Sequence, residues 1–407
     1  MKRALLVHNY YQQSGGEDKV VSQELKLLRT KGLDAQLYSV HNDRIKTTGF
    51  YGKAKIAIDS TWSIGEYNKL KKKLMDMKPD VVHVHNFFPL LSPSIYYACK
   101  NQNIPVVQTL HNYRLICPAA TFMRNNEICE KCLDGSLIHS IKHGCYRDSK
   151  FHTLPVAAMI KLNRVLGTWV NKVDQYIALT EFAKRKFVES GIPEDRISVK
   201  PNFISQGYST ESYPSSNSEH VLFVGRISVE KGVENLLQAW KQVDNKNGMK
   251  LLIIGDGTEK EALSEKYISK DVEFLGNQSS DVVLSYMKSA KYLIVPSIWY
   301  EGFPMTIVES YSMGTPVICS KLGSLQEVVR DGETGFHFKH DDIKDISKVI
   351  SNAIIRSDYE KLRKNVLSVF HKHYSEDVNY SILYNIYQKV IKYEEDHYVS
   401  SAKTSVR

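Results

Sequence analysis

The sequence predicts an α/β protein built as two Rossmann-like, doubly wound parallel-sheet domains facing each other across a cleft. Three observations carry this. Short apolar runs alternate with amphipathic stretches of helical spacing along most of the chain, the rhythm of repeated βαβ units. That rhythm breaks once, at residues 201–219, where Ser, Asn, Pro and Gly crowd around Pro214-Ser215-Ser216-Asn217-Ser218. The 407 residues also suit two domains at about 100–200 residues each.

The elements follow in order. Residues 4–7 read as a buried strand, followed by a polar loop with Gly15-Gly16 and a helix over 18–31 closed by Gly32. Residues 35–40, 81–84, 106–110 and 176–179 read as further strands, completing an N-terminal domain over 1–200. Beyond the linker at 201–219 comes a second domain over 220–374. Its strands are expected at 221–224, 251–254, 272–275, 292–295, 316–319 and 336–338. A last helix over 375–392 carries Val378, Ile382, Leu383, Ile386, Tyr387 and Val390 at helical spacing. In such a fold a ligand is expected at the carboxyl ends of the strands.

Composition narrows the class. Apolar residues at 42% and charged residues at 24% exclude a disordered chain. A net charge of +9 favours anionic partners without choosing among them. The first apolar run is too short for a signal peptide, and no stretch approaches the ~20 apolar residues of a membrane span. The reading is a cytoplasmic protein with, at most, peripheral contact at the inner face of the membrane.

The segment from Gly225 to Gly232 follows a predicted strand and holds Arg226 and Lys231. Ser228 fits an N-cap, which would place Lys231 in the first helical turn. There a cation opposes the helix dipole unless a bound phosphate reverses the sign. A solvated surface turn is the other reading. The segment from Trp299 to Glu309 also ends a strand. Pro304 fits the first position of a helix and Gly314 its end, leaving the amides of Phe303 and Met305 free for a ligand. Glu301 and Glu309 supply carboxylates, good acceptors for sugar hydroxyls. In the first domain, Gly15-Gly16 permits close approach of backbone to ligand. His83, His85 and His111 end two strands, where either a structural or a cleft role is open.

Cys117, Cys129, Cys132 and Cys145 lie in a loop-like insertion as C-x11-C-x2-C-x12-C. A structural zinc is one reading and free buried thiols the other. The cluster Lys69, Lys71, Lys72, Lys73 and Lys78, and the basic residues Arg147, Lys150, Lys161 and Arg164, read as solvated faces or as attraction to anionic lipid.

Taken together, these motifs resemble the GT4 family of retaining glycosyltransferases, which have the GT-B architecture. The resemblance rests on Gly15-Gly16, Thr109-Leu110-His111, Val224-Gly225-Arg226 with Lys231-Gly232, Gly255-Asp256-Gly257, Phe274-Leu275-Gly276, and Glu301-Gly302-Phe303-Pro304 running to Glu309 as an E-x7-E pattern. It implies transfer of a sugar from a UDP- or GDP-sugar to a glycan or lipid-diphosphate acceptor with retention, in surface polysaccharide assembly. Arg226 and Lys231 would neutralise the diphosphate. Glu301 would hold the donor sugar and phosphates together with the backbone at Gly302, Phe303, Pro304 and Met305. His111 would contact the donor sugar near the reacting carbon, and Glu309 the ribose. Gly16 and Gly225 would admit the phosphates, and Gly276 and Asn277 would meet the base. The last helix would cross back onto the first domain. No catalytic metal is expected, since the chain has no Asp-x-Asp motif, and no nucleic acid partner. A sugar-nucleotide epimerase of the same fold and a non-catalytic nucleotide-sugar-binding module are the competing readings.

Overall fold

The structure, a computed structural model, describes residues 1–12, 15–46, 48–133, 135–204 and 218–404. Most of the expected linker, including Pro214 to Asn217, lies outside the described residues. The chain divides into two compact units. The first comprises Met1–Thr121, Glu130–Asn202 and Asp377–Arg407, and the second Phe122–Cys129 and Phe203–Glu376.

The first unit is built on β1 (Arg3–Tyr10), β2 (Asp34–His41), β3 (Val81–Asn86) and β4 (Val106–Leu110). After the small hairpin β5 (Met123–Arg124) and β6 (Glu127–Ile128) come β7 (Gln175–Ala178) and β8 (Ile197–Val199). Its six-stranded sheet runs β2-β1-β3-β4-β7-β8, all parallel. Ala4, Leu5, Leu6 and Val7 have no exposed surface, because helices cover both faces of a parallel sheet. The helix Gly16–Thr30 buries Val20, Val21, Leu27 and Leu28 on one stripe. The Asp18 carboxylate accepts from the Gly15 N–H at its start (3.1 Å), and Gly32 (φ +86°) turns the chain after its end. The long helix Glu376–Thr404 adds Leu383, Ile386, Tyr387 and Val390 to this unit's core, beside Leu6, Val21 and Ile177.

The second unit contains β9 (His220–Val224), β10 (Lys250–Ile254), β11 (Val272–Gly276), β12 (Leu293–Val295), β13 (Val317–Ser320) and β14 (Gly335–Phe338). Its sheet runs β11-β10-β9-β12-β13-β14, again wholly parallel. Two apolar clusters cover its faces, one centred on Trp240 and Tyr292 and the other on Tyr311 and Leu293.

The sheets share doubly wound logic but not strand order. The second has the Rossmann order; the first places β3 directly beside β1, the other common doubly wound order. In both, the winding direction reverses next to the first strand: between β1 and β3 in one unit, and between β9 and β12 in the other. Ligands of such sheets bind at the carboxyl ends flanking that reversal. Strand β8 was not expected from the sequence, because three residues carry no readable periodicity.

Candidate functional site

In the second unit, the loops leaving β9, β10 and β12 are laced through backbone contacts that only glycine permits. Gly255 has φ +145°, and a Cβ there would run into the Gly225 carbonyl. Gly232 (φ +66°) lies against the Pro296 carbonyl, where a Cβ would collide as well. The Ile227 N–H donates to Asp256 O (2.9 Å) and the Ile298 N–H to Glu230 O (3.0 Å). The Gly255 N–H donates to the Gly276 carbonyl (2.9 Å) at the end of β11, next to exposed Asn277.

This lacing corrects one expectation. Ser228 starts only a single 3-10 turn, Val229–Lys231, and its hydroxyl donates to Glu230 (2.7 Å) rather than capping a helix. The left-handed Gly232 separates that turn from the helix Val233–Lys241. Lys231 therefore ends the preceding turn instead of entering the helix. Its Nζ donates to Glu301 Oε1 at 2.6 Å, and the Ser297 hydroxyl donates to the same oxygen at 2.7 Å. The ammonium also lies 5.4 Å from the Trp299 ring centroid. Burial alone would push the Glu301 carboxyl up, but Lys231 outweighs it and holds the group below the ordinary carboxylate range. Arg226 is exposed and has no hydrogen bond or ion pair among the described residues.

Gly302 and Phe303 lead into the helix Met305–Ser312, whose N-cap is Pro304. Pro304 thus stands one position earlier than expected, because its ψ of 93° is extended rather than helical. Buried Ile307, Val308 and Tyr311 anchor the helix, and Glu309 is half-buried on it. In the first turn the Ile307 N–H donates to the Pro304 carbonyl (3.0 Å), while the Met305 and Thr306 amides have no partner within the helix.

In the first unit, the carboxyl edge gathers ionisable groups under cover. Glu24 Oε1 lies 2.9 Å from His83 Nδ1 and 3.2 Å from His85 Nε2, and Glu24 Oε2 accepts from Lys200 Nζ at 3.0 Å. Lys200 also donates to Asn379 (3.1 Å), and His83 meets Tyr387 (2.7 Å) and Thr109 (2.8 Å). His85 Nδ1 faces His111 Nε2 at 3.0 Å. Burial would raise the Glu24 carboxyl; the surrounding cations and imidazoles hold it well below its usual range. Burial and neighbouring imidazoles push His85 down to about 3 and His111 well below its usual value. At the first helix, Gly16 is exposed, and the Tyr11 hydroxyl donates to Glu17 Oε2 (3.2 Å). Burial and the adjacent Asp18 push Glu17 up to about 8.

Residues 209–367 match the family described as Glycosyl transferases group 1, and residues 56–206 match Glycosyltransferase Family 4. This chain is a member of glycosyltransferase family 4. A lipopolysaccharide 1,2-N-acetylglucosaminetransferase of Salmonella typhimurium is 30% identical over 48% of this chain and 58% of its own length. An uncharacterized glycosyltransferase of Methanocaldococcus jannaschii is 24% identical over 68% of this chain and 67% of its own. The matched part thus spans about three fifths to two thirds of these relatives. Among solved structures, an Anabaena protein in complex with UDP-glucose superposes with a TM-score of 0.66 at 16% identity, covering 95% of this chain and 99% of the other. That likeness is one of fold, the GT-B arrangement of two parallel-sheet domains.

Within the family frame, the structure separates the expected site residues into two sets. Gly225, Arg226, Lys231, Gly276, Asn277, Glu301, Gly302, Phe303, Pro304, Met305 and Glu309 belong to the second unit, and Gly16 and His111 to the first. Among the described residues, Cys117, Cys129, Cys132 and Cys145 do not form a group of three or more ligand atoms within 4.8 Å of one another. Cys117, Cys132 and Cys145 belong to the first unit and Cys129 closes the β5–β6 hairpin counted with the second. Among the described residues, the group whose ligand atoms all approach within 4.8 Å is Glu24, His83 and His85. Cys117 and Cys132 are buried like apolar side chains. Of the lysine cluster, Lys69 pairs with Glu66 (2.7 Å) and Lys73 bonds Gln36 (2.8 Å), as a solvated helix face does.

Sequence reasoning missed Glu24, Lys200 and Glu17. Glu24 had a legible signal: it occupies the stripe of Val20, Val21, Leu27 and Leu28, where an acid has no place unless it is paired.

Proposed function

We propose that this chain moves a sugar from a UDP- or GDP-sugar to a glycan or lipid-diphosphate acceptor with retention, in assembly of a surface polysaccharide. The observation that carries the reading is the Lys231–Glu301 pair at the reversal point of the second sheet, with Arg226 exposed on the neighbouring loop. Lys231 and Arg226 would take the diphosphate, and the free amides at Met305 would take a phosphate or sugar oxygen. On donor binding, Lys231 would shift its charge from Glu301 toward the phosphate, freeing Glu301 to accept from sugar hydroxyls. Glu309 would accept from the ribose, and His111 would contact the donor sugar.

In the reaction the bond from the anomeric carbon to the phosphate oxygen breaks and a bond to the acceptor oxygen forms on the same face. The acceptor's proton passes to the departing phosphate. Fixed cations and helix amides stabilise the leaving charge, so we assign no catalytic metal. The relative that builds lipopolysaccharide and the UDP-glucose complex of the Anabaena protein favour this substrate class. A hydrolysis screen of purified protein against UDP-, GDP- and ADP-sugars, with and without EDTA, is the test. Turnover of one donor in EDTA is expected; turnover of none, or turnover that needs added magnesium or manganese, overturns it.

The same reading includes a peripheral site at an anionic membrane. Its support is an outward apolar face on the helices Ile138–His143 and Lys150–Val165, where Ile138 (72% exposed), Phe151 (76%) and Val165 (72%) stand out. Exposed Lys142, Arg147, Lys150 and Lys161 surround them, as for an interfacial segment. Among the described residues no helix is long and apolar enough to cross a membrane. Co-flotation with phosphatidylglycerol vesicles, lost in Phe151→Asp, is expected; equal flotation of the variant counts against this face.

A further inference from the structure

The buried chain of groups in the first unit ends on His111, and the Glu24 charge at its other end sets where each proton sits. An ionised carboxylate has no proton to give and repels a lone pair turned toward it, so an imidazole nitrogen beside Glu24 carries its proton on that side. A neutral imidazole carries a single N–H. His85 Nε2 lies 3.2 Å from Glu24 Oε1 without the alignment of a hydrogen bond, but a lone pair turned toward an anionic oxygen at that distance would be repelled, so the proton sits on Nε2 and Nδ1 is left as a lone pair. That lone pair faces His111 Nε2 at 3.0 Å, which must therefore be the N–H of His111. The remaining nitrogen of His111, Nδ1, has no protein partner among the described residues.

We propose that Glu24 and His85 are positioning residues that lock His111 in its Nε2–H tautomer, so that Nδ1 is presented as a hydrogen-bond acceptor for a hydroxyl of the substrate sugar. This rests on the proposed transferase function for the identity of the hydroxyl, but not for the tautomer. The surroundings agree. The groups acting on His111 are His85, His8, Glu24 and His83, and burial with the imidazoles keeps it neutral. His83 is placed alike, with Nδ1 2.9 Å from Glu24 Oε1 and hydrogen-bonded to the Tyr387 hydroxyl at 2.7 Å, and Nε2 2.8 Å from the Thr109 hydroxyl.

A metal ion in place of this relay is disfavoured. Glu24, His83 and His85 are close enough together for one, but the buried Lys200 ammonium is already 3.0 Å from the same carboxylate. A divalent cation would sit beside that charge in a medium that screens it poorly. The consequence for chemistry is specific. His111 neither donates a proton nor neutralises phosphate; it distinguishes a hydroxyl, which carries hydrogen, from a group that does not.

The test is side-chain nitrogen NMR on the full chain labelled with 15N-histidine, with His111 assigned by its loss in His111→Gln. From about pH 6 to about pH 8, His111 is expected to show a protonated Nε2, an unprotonated Nδ1 and no titration. A proton on Nδ1, or an imidazolium, overturns the proposal. His85→Phe keeps the ring volume and removes the relay. His111 should then become a tautomer mixture, with kcat down about tenfold and KM for the donor little changed, as when the group orienting a catalytic histidine is lost. An unaltered tautomer in folded His85→Phe also overturns it. If that variant does not fold, the wild-type spectrum decides alone. The spectrum needs no substrate, so failure to find a sugar nucleotide that turns over would count against the function and not against the relay.

Discussion

At the carboxyl edge of the first sheet, charge is buried and cancelled in place: Lys200 is 1% exposed and Glu24 fully covered, with Lys200 bonded to one carboxylate oxygen and His83 and His85 within 3.2 Å of the other. At the carboxyl edge of the second, charge is kept within reach of solvent. Lys231 retains a quarter of its side-chain surface, and Arg226 is exposed without a partner among the described residues. One edge uses ionisable groups to fix geometry; the other leaves cations at the surface, where the proposed function puts an anion. The same residue types thus do different work according to burial, and substitutions at the two edges should separate stability from activity.

The largest effect is expected at the covered edge. Lys200→Met strands the Glu24 carboxylate without its cation, and breaking a fully buried pair costs about 3–5 kcal/mol. Denaturant unfolding should show a loss of that size, and a loss below about 1 kcal/mol would mean that water reaches the pair. The pH dependence has a defined sign. His85 binds its proton more weakly when folded, at about 3, than in the unfolded chain. The unfolded state therefore takes up protons first as pH falls below the ordinary histidine range, and stability declines from there toward about 3. Each such histidine contributes at most about 1.4 kcal/mol per pH unit in that window.

The open edge should respond in the opposite way. Lys231→Met is expected to lower kcat/KM about 100- to 1,000-fold while costing only about 1–2 kcal/mol of stability, since the lysine is partly solvated. The cost is not zero, because Glu301 is buried and loses its cation. Glu309→Ala sharpens the contrast. On the proposed function this removes a charged hydrogen bond to a ribose hydroxyl and should lower kcat/KM about ten- to a hundredfold, with an unfolding transition within about 0.5 kcal/mol of wild type. Equal losses of stability at Lys200 and Lys231 would dissolve the distinction between the edges.

The difference also explains what was legible in the sequence. The βαβ rhythm marked eleven of the twelve strands of the two main sheets, since a strand covered on both faces is an unbroken apolar run. The open edge was legible because its residues are contiguous in sequence: Gly225 to Gly232, and Trp299 to Glu309. The covered edge was not. Glu24, His83, Lys200 and Asn379 come from four separate segments and meet only after the sheet and the last helix have formed. In the sequence Gly232 only closes the segment that holds Arg226 and Lys231, whereas its φ of +66° and its fit against Pro296 also end the 3-10 turn that aims Lys231 at Glu301. Spacing alone does not reveal where one turn stops and the next helix starts.

Glu17 sits between the two regimes and gives the finest test. It lies at the carboxyl edge of β1, half-buried, with one oxygen bonded to Tyr11 and the other without a hydrogen-bond partner. Burial and Asp18 push it up to about 8, so the folded chain holds a proton that the unfolded chain has already lost. Stability contributed by that proton is full below the ordinary carboxylate range and falls as pH rises toward 8. Glu17→Gln keeps the shape and removes the titration. Its Tm should match wild type near pH 4 and exceed it by about 2–4 °C at pH 8, equivalent to about 1 kcal/mol for a half-solvated group. A variant no more stable than wild type at pH 8 would place Glu17 with the solvated charges of the open edge rather than with the covered network around Glu24.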